Sequence, residues 1–323
     1  MTGYRLQILA IAMVSLSLFG AVGNAQARKR EPAKAERAFI EQTRIAAPER
    51  IGEFVLEGTR YDPAAKHAGV ALRYAHMDHP QMRFDLFIYP AGDMPQSTAL
   101  EAGMRDFRAS FDAGVKMKYY EDMRVLETSA YEIPPTRAKK DEGATEDKIE
   151  PEKADSQTAS DPEDIERKAI IARALTPKPI VGQRIELRYR MSADGYAEPI
   201  PMYSRGYLFY RQLYYFKGRI SAAESTIDQQ AFASLSDRAI SELVPAIRIS
   251  NIGGCAKNEV VLRSSDLDAA GKDKNHIMSM LMESLVGFGD KHCYDTMQKA
   301  MQWEPQDAEI VTIEYDASDW GSQ

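Results

Sequence analysis

The chain has 323 residues, 41 lysines and arginines against 48 aspartates and glutamates, and a formal net charge of −7. A chain of this length can bury a substantial core without covalent staples, and its two cysteines exclude a disulfide-dense scaffold. The near balance of charge gives neither a nucleic-acid footprint nor a polybasic membrane face.

At the N-terminus, Leu6 to Val22 form an apolar run behind Arg5, broken only by Gln7, Ser15, Ser17 and Gly20. Ala25-Gln26-Ala27 follows. A basic head, an apolar middle and small residues at the minus-three and minus-one positions predict a secretory signal peptide cleaved after Ala27, hence a periplasmic protein. Arg28-Lys29-Arg30 come directly behind, and basic residues there resist translocation. The alternative is therefore an uncleaved helix anchoring the chain in the inner membrane, the one way in which a membrane becomes a partner. Residues 28–50 read as an N-terminal extension, and 51–135 with 168–248 as one split main domain.

In Val70–Ala75, Val70, Leu72 and Tyr74 share a face; in Met82–Tyr89, Met82, Phe84, Leu86 and Ile88 do. Period-two alternation in both, joined by a short polar link holding Pro80, predicts a hairpin. Thr98 and Glu101 have capping-box spacing, and Leu100, Met104, Phe107 and Phe111 follow at helical intervals, with Gly114 placed to end the helix. Arg124 to Ile133 reads as a strand.

Residues 136–167 carry 11 acidic and 6 basic residues and no aromatic one. Such a segment cannot bury enough apolar surface to offset its ordering entropy, so a disordered acidic insert is predicted. Beyond it, Arg184–Met191 alternates through Ile185, Leu187 and Tyr189, and Pro201–Ser221 holds one long aromatic strand or two broken near Gly206. Asp228 then precedes a helical stripe of Phe232, Leu235, Ala239 and Leu243. Two strand groups, each followed by an amphipathic helix, predict an α+β fold: an antiparallel sheet packed by helices.

Residues 249–323 read as a small β-α-β subdomain. Its strands are Glu259–Arg263 and Ala308–Tyr315, its helical stripe Ile277, Leu281, Leu285 and Phe288. In an exported protein an even pair of cysteines forms a bridge, so Cys255 and Cys293 are expected to be joined, contributing roughly 3–4 kcal/mol through loop entropy.

The layout is similar to the PsbP/DcrB-like α/β sandwich family over about residues 51–248. The residues that carry the likeness are Val181-Gly182-Gln183-Arg184-Ile185-Glu186-Leu187 and Tyr203-Ser204-Arg205-Gly206-Tyr207. The chain also resembles exported proteins of Gram-negative bacteria. The resemblance implies a non-enzymatic binding or assembly role and assigns no functional residue.

The chemistry-bearing motifs are few. No G-x-S-x-G elbow, G-x-G-x-x-G turn or P-loop occurs, and the EF-hand-like start at Asp266 lacks two ligand positions. No cofactor is called for. His76, Asp78 and His79 cluster within four residues, either as a polar hairpin link or as a metal site. If the aromatic strand is continuous, Tyr203, Arg205, Tyr207 and Arg211 share a face, where rings mixed with cations suit a ligand or a protein partner. The sequence thus points to a non-catalytic binding or assembly factor of the cell envelope, with a protein or small-molecule partner. The alternative is an envelope hydrolase, metal-dependent through His76, Asp78 and His79.

Overall fold

The computed structural model describes residues 37–135, 168, 171–172, 176–192, 198–257, 281–282, 287 and 289–320. The predicted signal peptide, the predicted acidic insert and most of the predicted C-terminal helix and its preceding strand lie outside the described residues. Twelve strands are formed by the described residues: β1 (Gln42–Pro48), β2 (Arg50–Ile51), β3 (Phe54–Tyr61), β4 (Val70–His76), β5 (Arg83–Pro90), β6 (Tyr120–Ile133), β7 (Ile180–Met191), β8 (Ile200–Arg211), β9 (Tyr214–Ala223), β10 (Arg248–Ile252), β11 (Cys293–Tyr294) and β12 (Ala308–Glu314). Helix α1 (Gln96–Lys116) follows β5, α2 (Gln229–Ala246) follows β9, and the short α3 (Met297–Met301) follows β11.

The expected α+β architecture holds. Eight strands form one antiparallel sheet in the order β2-β3-β4-β5-β9-β8-β7-β6. The two strand groups meet where β5 pairs with β9, and each group runs four strands and then a helix. The hairpin predicted from alternation is β4 and β5, with Val70, Leu72, Tyr74, Phe84, Leu86 and Ile88 all in the core.

The helices take opposite faces of this sheet. Leu100, Met104, Phe107 and Phe111 of α1 cover Ile185, Leu187, Leu208 and Tyr215. Close approach requires missing side chains: a Cβ on Gly206 would lie 2.5 Å from the Phe107 ring, and one on Gly103 2.7 Å from Leu208 and Tyr215. Phe232, Leu235, Ala239 and Leu243 of α2 bury the other face, against Tyr207, Phe209 and Phe216.

The ends of α1 depart from expectation. It begins at Gln96 behind Pro95, with no side-chain cap, so Thr98 is already inside the helix. It runs past Gly114 to Lys116, and Lys118 takes the left-handed conformation (φ 60°) while the Tyr119 amide donates to Gly114 O at 2.9 Å. Gly114 serves the approach of Tyr120 instead, whose ring a Cβ there would strike. At α2, Asp228, which precedes the stripe in sequence, caps the helix by accepting from the Ala231 amide.

A second sheet has the order β11-β10-β1-β12. Its inner strand β1 lies in the segment read as an N-terminal extension, and its neighbours β10 and β12 in the segment read as a C-terminal subdomain. The register joins them: Ile45 pairs with Ile249 on one side and Val311 on the other. Cys255 and Cys293 form the expected disulfide, with Cα atoms 5.7 Å apart, at the edge where β11 runs parallel to β10. Among the described residues no helix is long and apolar enough to cross a membrane.

Candidate functional site

The aromatic stretch breaks at Gln212-Leu213 rather than near Gly206. Both residues have positive φ (55° and 71°), and β8 turns back there into β9. Tyr203, Arg205, Tyr207 and Arg211 do share one face of β8, but α2 lies on it. Tyr203 stacks on Phe232 at 5.6 Å. Arg205 pairs with Glu186 at 2.9 Å and Asp237 at 3.0 Å. Tyr207 is fully buried and donates to Asp237 Oδ1 at 2.6 Å; burial, then the Asp237 charge, pushes its hydroxyl far above the ordinary phenol value. Arg211 donates to Val244 O at 2.8 Å, and burial followed by the nearby Arg248 lowers it to about 10. These four side chains fasten α2 to the sheet instead of presenting a free surface. Periodicity separates the two faces of a strand but does not say which one a helix covers.

The histidine cluster sits at the end of β4. His76 is buried, and its Nδ1 accepts from the Asp78 amide at 3.1 Å. Its Nε2 lies 2.7 Å from Arg238 Nη2 and 3.3 Å from Glu53 Oε2, which pair with each other at 2.7 Å. The His79 ring is tilted against it, 5.1 Å away. Both His76 nitrogens thus face protein groups, one of them a cation, and no group of three His, Cys, Asp or Glu side chains suited to a metal forms among the described residues.

The geometry offers a different site. Eight strands at about 4.8 Å spacing span roughly 34 Å, and one helix is about 10 Å across, so α1 leaves much of its face of the sheet uncovered. The bare part is a cleft of about 600 Å³, lined from β3 by Glu57, Gly58 and Arg60, from β4 by Arg73, from β5 by Arg83, Asp85 and Phe87, from β9 by Arg219 and Ser221, and from β7 and β6 by Tyr189, Met191 and Tyr120. That volume lies within the range of small-molecule sites. Four arginines face two carboxylates, so the lining is net positive.

Strand pairing dictates the order of these groups. Across β3, β4, β5, β9 and β8, register places Gly58, Arg73, Asp85, Arg219 and Gly206 in one row. Phe107 closes the Gly206 end, whereas a Cβ on Gly58 would meet nothing within 4 Å, so the row opens to solvent there. Asp85 receives Arg73 Nε on one oxygen at 2.7 Å and has Arg83 Nη2 3.6 Å from the other. Arg219 turns to rings instead: its guanidinium carbon is 4.9 Å from the Tyr120 centroid, 5.2 Å from Phe111 and 5.8 Å from Tyr189. One strand position away on the same face, Lys217 lies 4.2 Å from the Phe107 centroid and donates to Ser110 Oγ at 3.2 Å. Burial, reinforced by Arg219, lowers this amine to about 8.

The sequence carried part of this signal: Arg83, Asp85 and Phe87, and likewise Lys217, Arg219 and Ser221, mark the polar sides of alternating strands. That the two sets adjoin depends on β5 pairing with β9 across more than a hundred residues, which no local pattern records. No family model matches the chain, and no curated protein or solved structure matches it either.

Proposed function

We propose that this chain is an exported, non-catalytic binding protein of the cell envelope whose ligand lies in the cleft on the uncovered face of the eight-stranded sheet. The observation that carries the reading is the cleft itself: a ligand-sized concavity floored by rigid strands and lined by rings and arginines. Sites built on paired strands hold their side chains more precisely than sites on loops. A concave pocket with rings and a few convergent polar groups is the usual form of a small-molecule site. Asp85, the carboxylate in the row, is taken up by Arg73 and Arg83, which favours a recognition role for the lining. Export is supported by the apolar N-terminal run ending in Ala25-Gln26-Ala27 and by the Cys255–Cys293 bridge, which persists in oxidising compartments. The resemblance to the PsbP/DcrB-like family implies the same kind of role.

Native mass spectrometry of the protein captured from cell envelopes tests this. The expected result is a chain starting at Arg28 that carries a small-molecule adduct, with the adduct lost in Gly58→Trp. That substitution fills the open end of the row from a position where a side chain meets no protein atom. A chain that keeps residues 1–27 would refute export; no adduct, or one indifferent to Gly58→Trp, would refute the cleft as its site.

A further inference from the structure

The cleft also specifies the charge of what it binds. Resting on the reading above, we infer that its ligand is an organic oxyanion, a carboxylate or phosphate carried on a flat ring, held by Arg219 with Arg83 beside it.

Asp85 is the carboxylate across the strand from Arg219, but its two oxygens face Arg73 and Arg83. Arg219 makes no ion pair among the described residues. Of the five N–H donors on a guanidinium, one reaches Tyr189 Oη, at a long 3.3 Å, and the Tyr120 hydroxyl is a second partner, so neither partner is an anion. Rings on three sides hold the charge in place by cation–π attraction, yet rings accept no in-plane hydrogen bonds. The result is a half-buried, pre-positioned fork with donors open to the cleft, and a guanidinium fork matches the two oxygens of a carboxylate or phosphate. Tyr189, Tyr120 and Phe87 supply apolar walls for the body of the ligand. Binding an anion would complete both the charge and the hydrogen bonding of Arg219, whereas a neutral ligand would leave a half-buried cation without a counter-charge.

Isothermal titration of the purified mature chain with four probes tests the inference: benzoate and phenyl phosphate, and their uncharged counterparts benzamide and phenol. The two anions should bind at millimolar concentration or below, and about tenfold or more tightly than the neutral pair. Preference between them assigns carboxylate or phosphate. Arg219→Gln should weaken the anions about tenfold and leave the neutral probes unchanged, while Gly58→Trp weakens all four. If Arg219→Gln does not fold, Arg83→Gln, altering a side chain that is 53% exposed, supplies the same comparison. Equal binding of charged and neutral probes, or anion affinity that ignores both arginine variants, overturns the oxyanion assignment but leaves the cleft reading standing. Failure of all four probes to bind at millimolar concentration defeats the assignment and the cleft together.

Discussion

Arg205 and Glu186 face each other across the β7–β8 pairing, 2.9 Å apart, with side chains only 8% and 14% exposed. Arg205 also reaches Asp237 and the Ala233 carbonyl of α2, so one guanidinium ties the helix to two strands. Breaking a buried pair leaves an uncompensated charge and costs about 3–5 kcal/mol, whereas removing both charges is far cheaper. Urea denaturation should therefore show Arg205→Met to be more destabilising than the double substitution Arg205→Met, Glu186→Met. Additive losses would mean that the pair is not a closed electrostatic unit.

The β8–β9 turn sets backbone strain against burial at a single residue. Gln212 and Leu213 both occupy positive φ, a conformation that two-residue hairpins normally give to Asn-Gly. For a residue with a Cβ that costs roughly 1–2 kcal/mol. Leu213, however, is 2% exposed in the main core, and deleting such a side chain costs about 2–5 kcal/mol. Burial wins, so Leu213→Gly should lower stability by about 1–3 kcal/mol although glycine suits the dihedral. A stabilised Leu213→Gly in thermal unfolding would reverse that ranking.

This turn shows why parts of the fold were legible in sequence and others were not. Elements with a one-sided apolar pattern were readable: β4 and β5, the stripe of α1, the stripe of α2 behind Asp228, and β12. Gln212-Leu213 carries none of the residues that mark a hairpin, and its conformation is imposed by what packs around Leu213. Strand β1, QTRIAAP, was missed because it is flanked on both sides and both its partners lie more than two hundred residues away. The cleft was hidden for the same reason. Arg219 and Asp85 are ordinary polar positions until the β5–β9 register sets them side by side.

The Cys255–Cys293 bridge spans 38 residues, and β11, which it holds, pairs with β10 through only two residues. Loop-entropy loss of that length is about 4 kcal/mol. Replacing both cysteines by serine should lower global stability by about that amount through the unfolded chain and, in addition, free the two-residue pairing of β11 to open locally. In hydrogen exchange the Asn251 amide, which donates to His292 O, and the Gly253 amide, which donates to Tyr294 O, should lose protection first. Amides of β1 paired with β12 should be less affected. Uniform loss of protection over both sheets would place the action of the bridge in the unfolded chain alone.

His292 immediately precedes β11 with φ 49°, against the Gln212 side-chain amide nitrogen at 3.2 Å. Burial, then the charges of Arg248 and Arg211, lowers its imidazole to about 4, and among the described residues Asp290 opposes them by acting on Arg211. Between about pH 4 and the ordinary histidine value of 6.5, the unfolded chain takes up a proton that the folded chain refuses, so folding weakens as the pH falls through that window. One proton changes the folding constant by up to about tenfold per pH unit. His292→Asn removes the titration and keeps a residue type that tolerates positive φ. Urea denaturation from pH 7 down to pH 4 should show wild type losing stability faster than His292→Asn, with the curves diverging only below about pH 6.5. Parallel curves across the window would mean that the imidazole is as free to charge in the fold as in the unfolded chain.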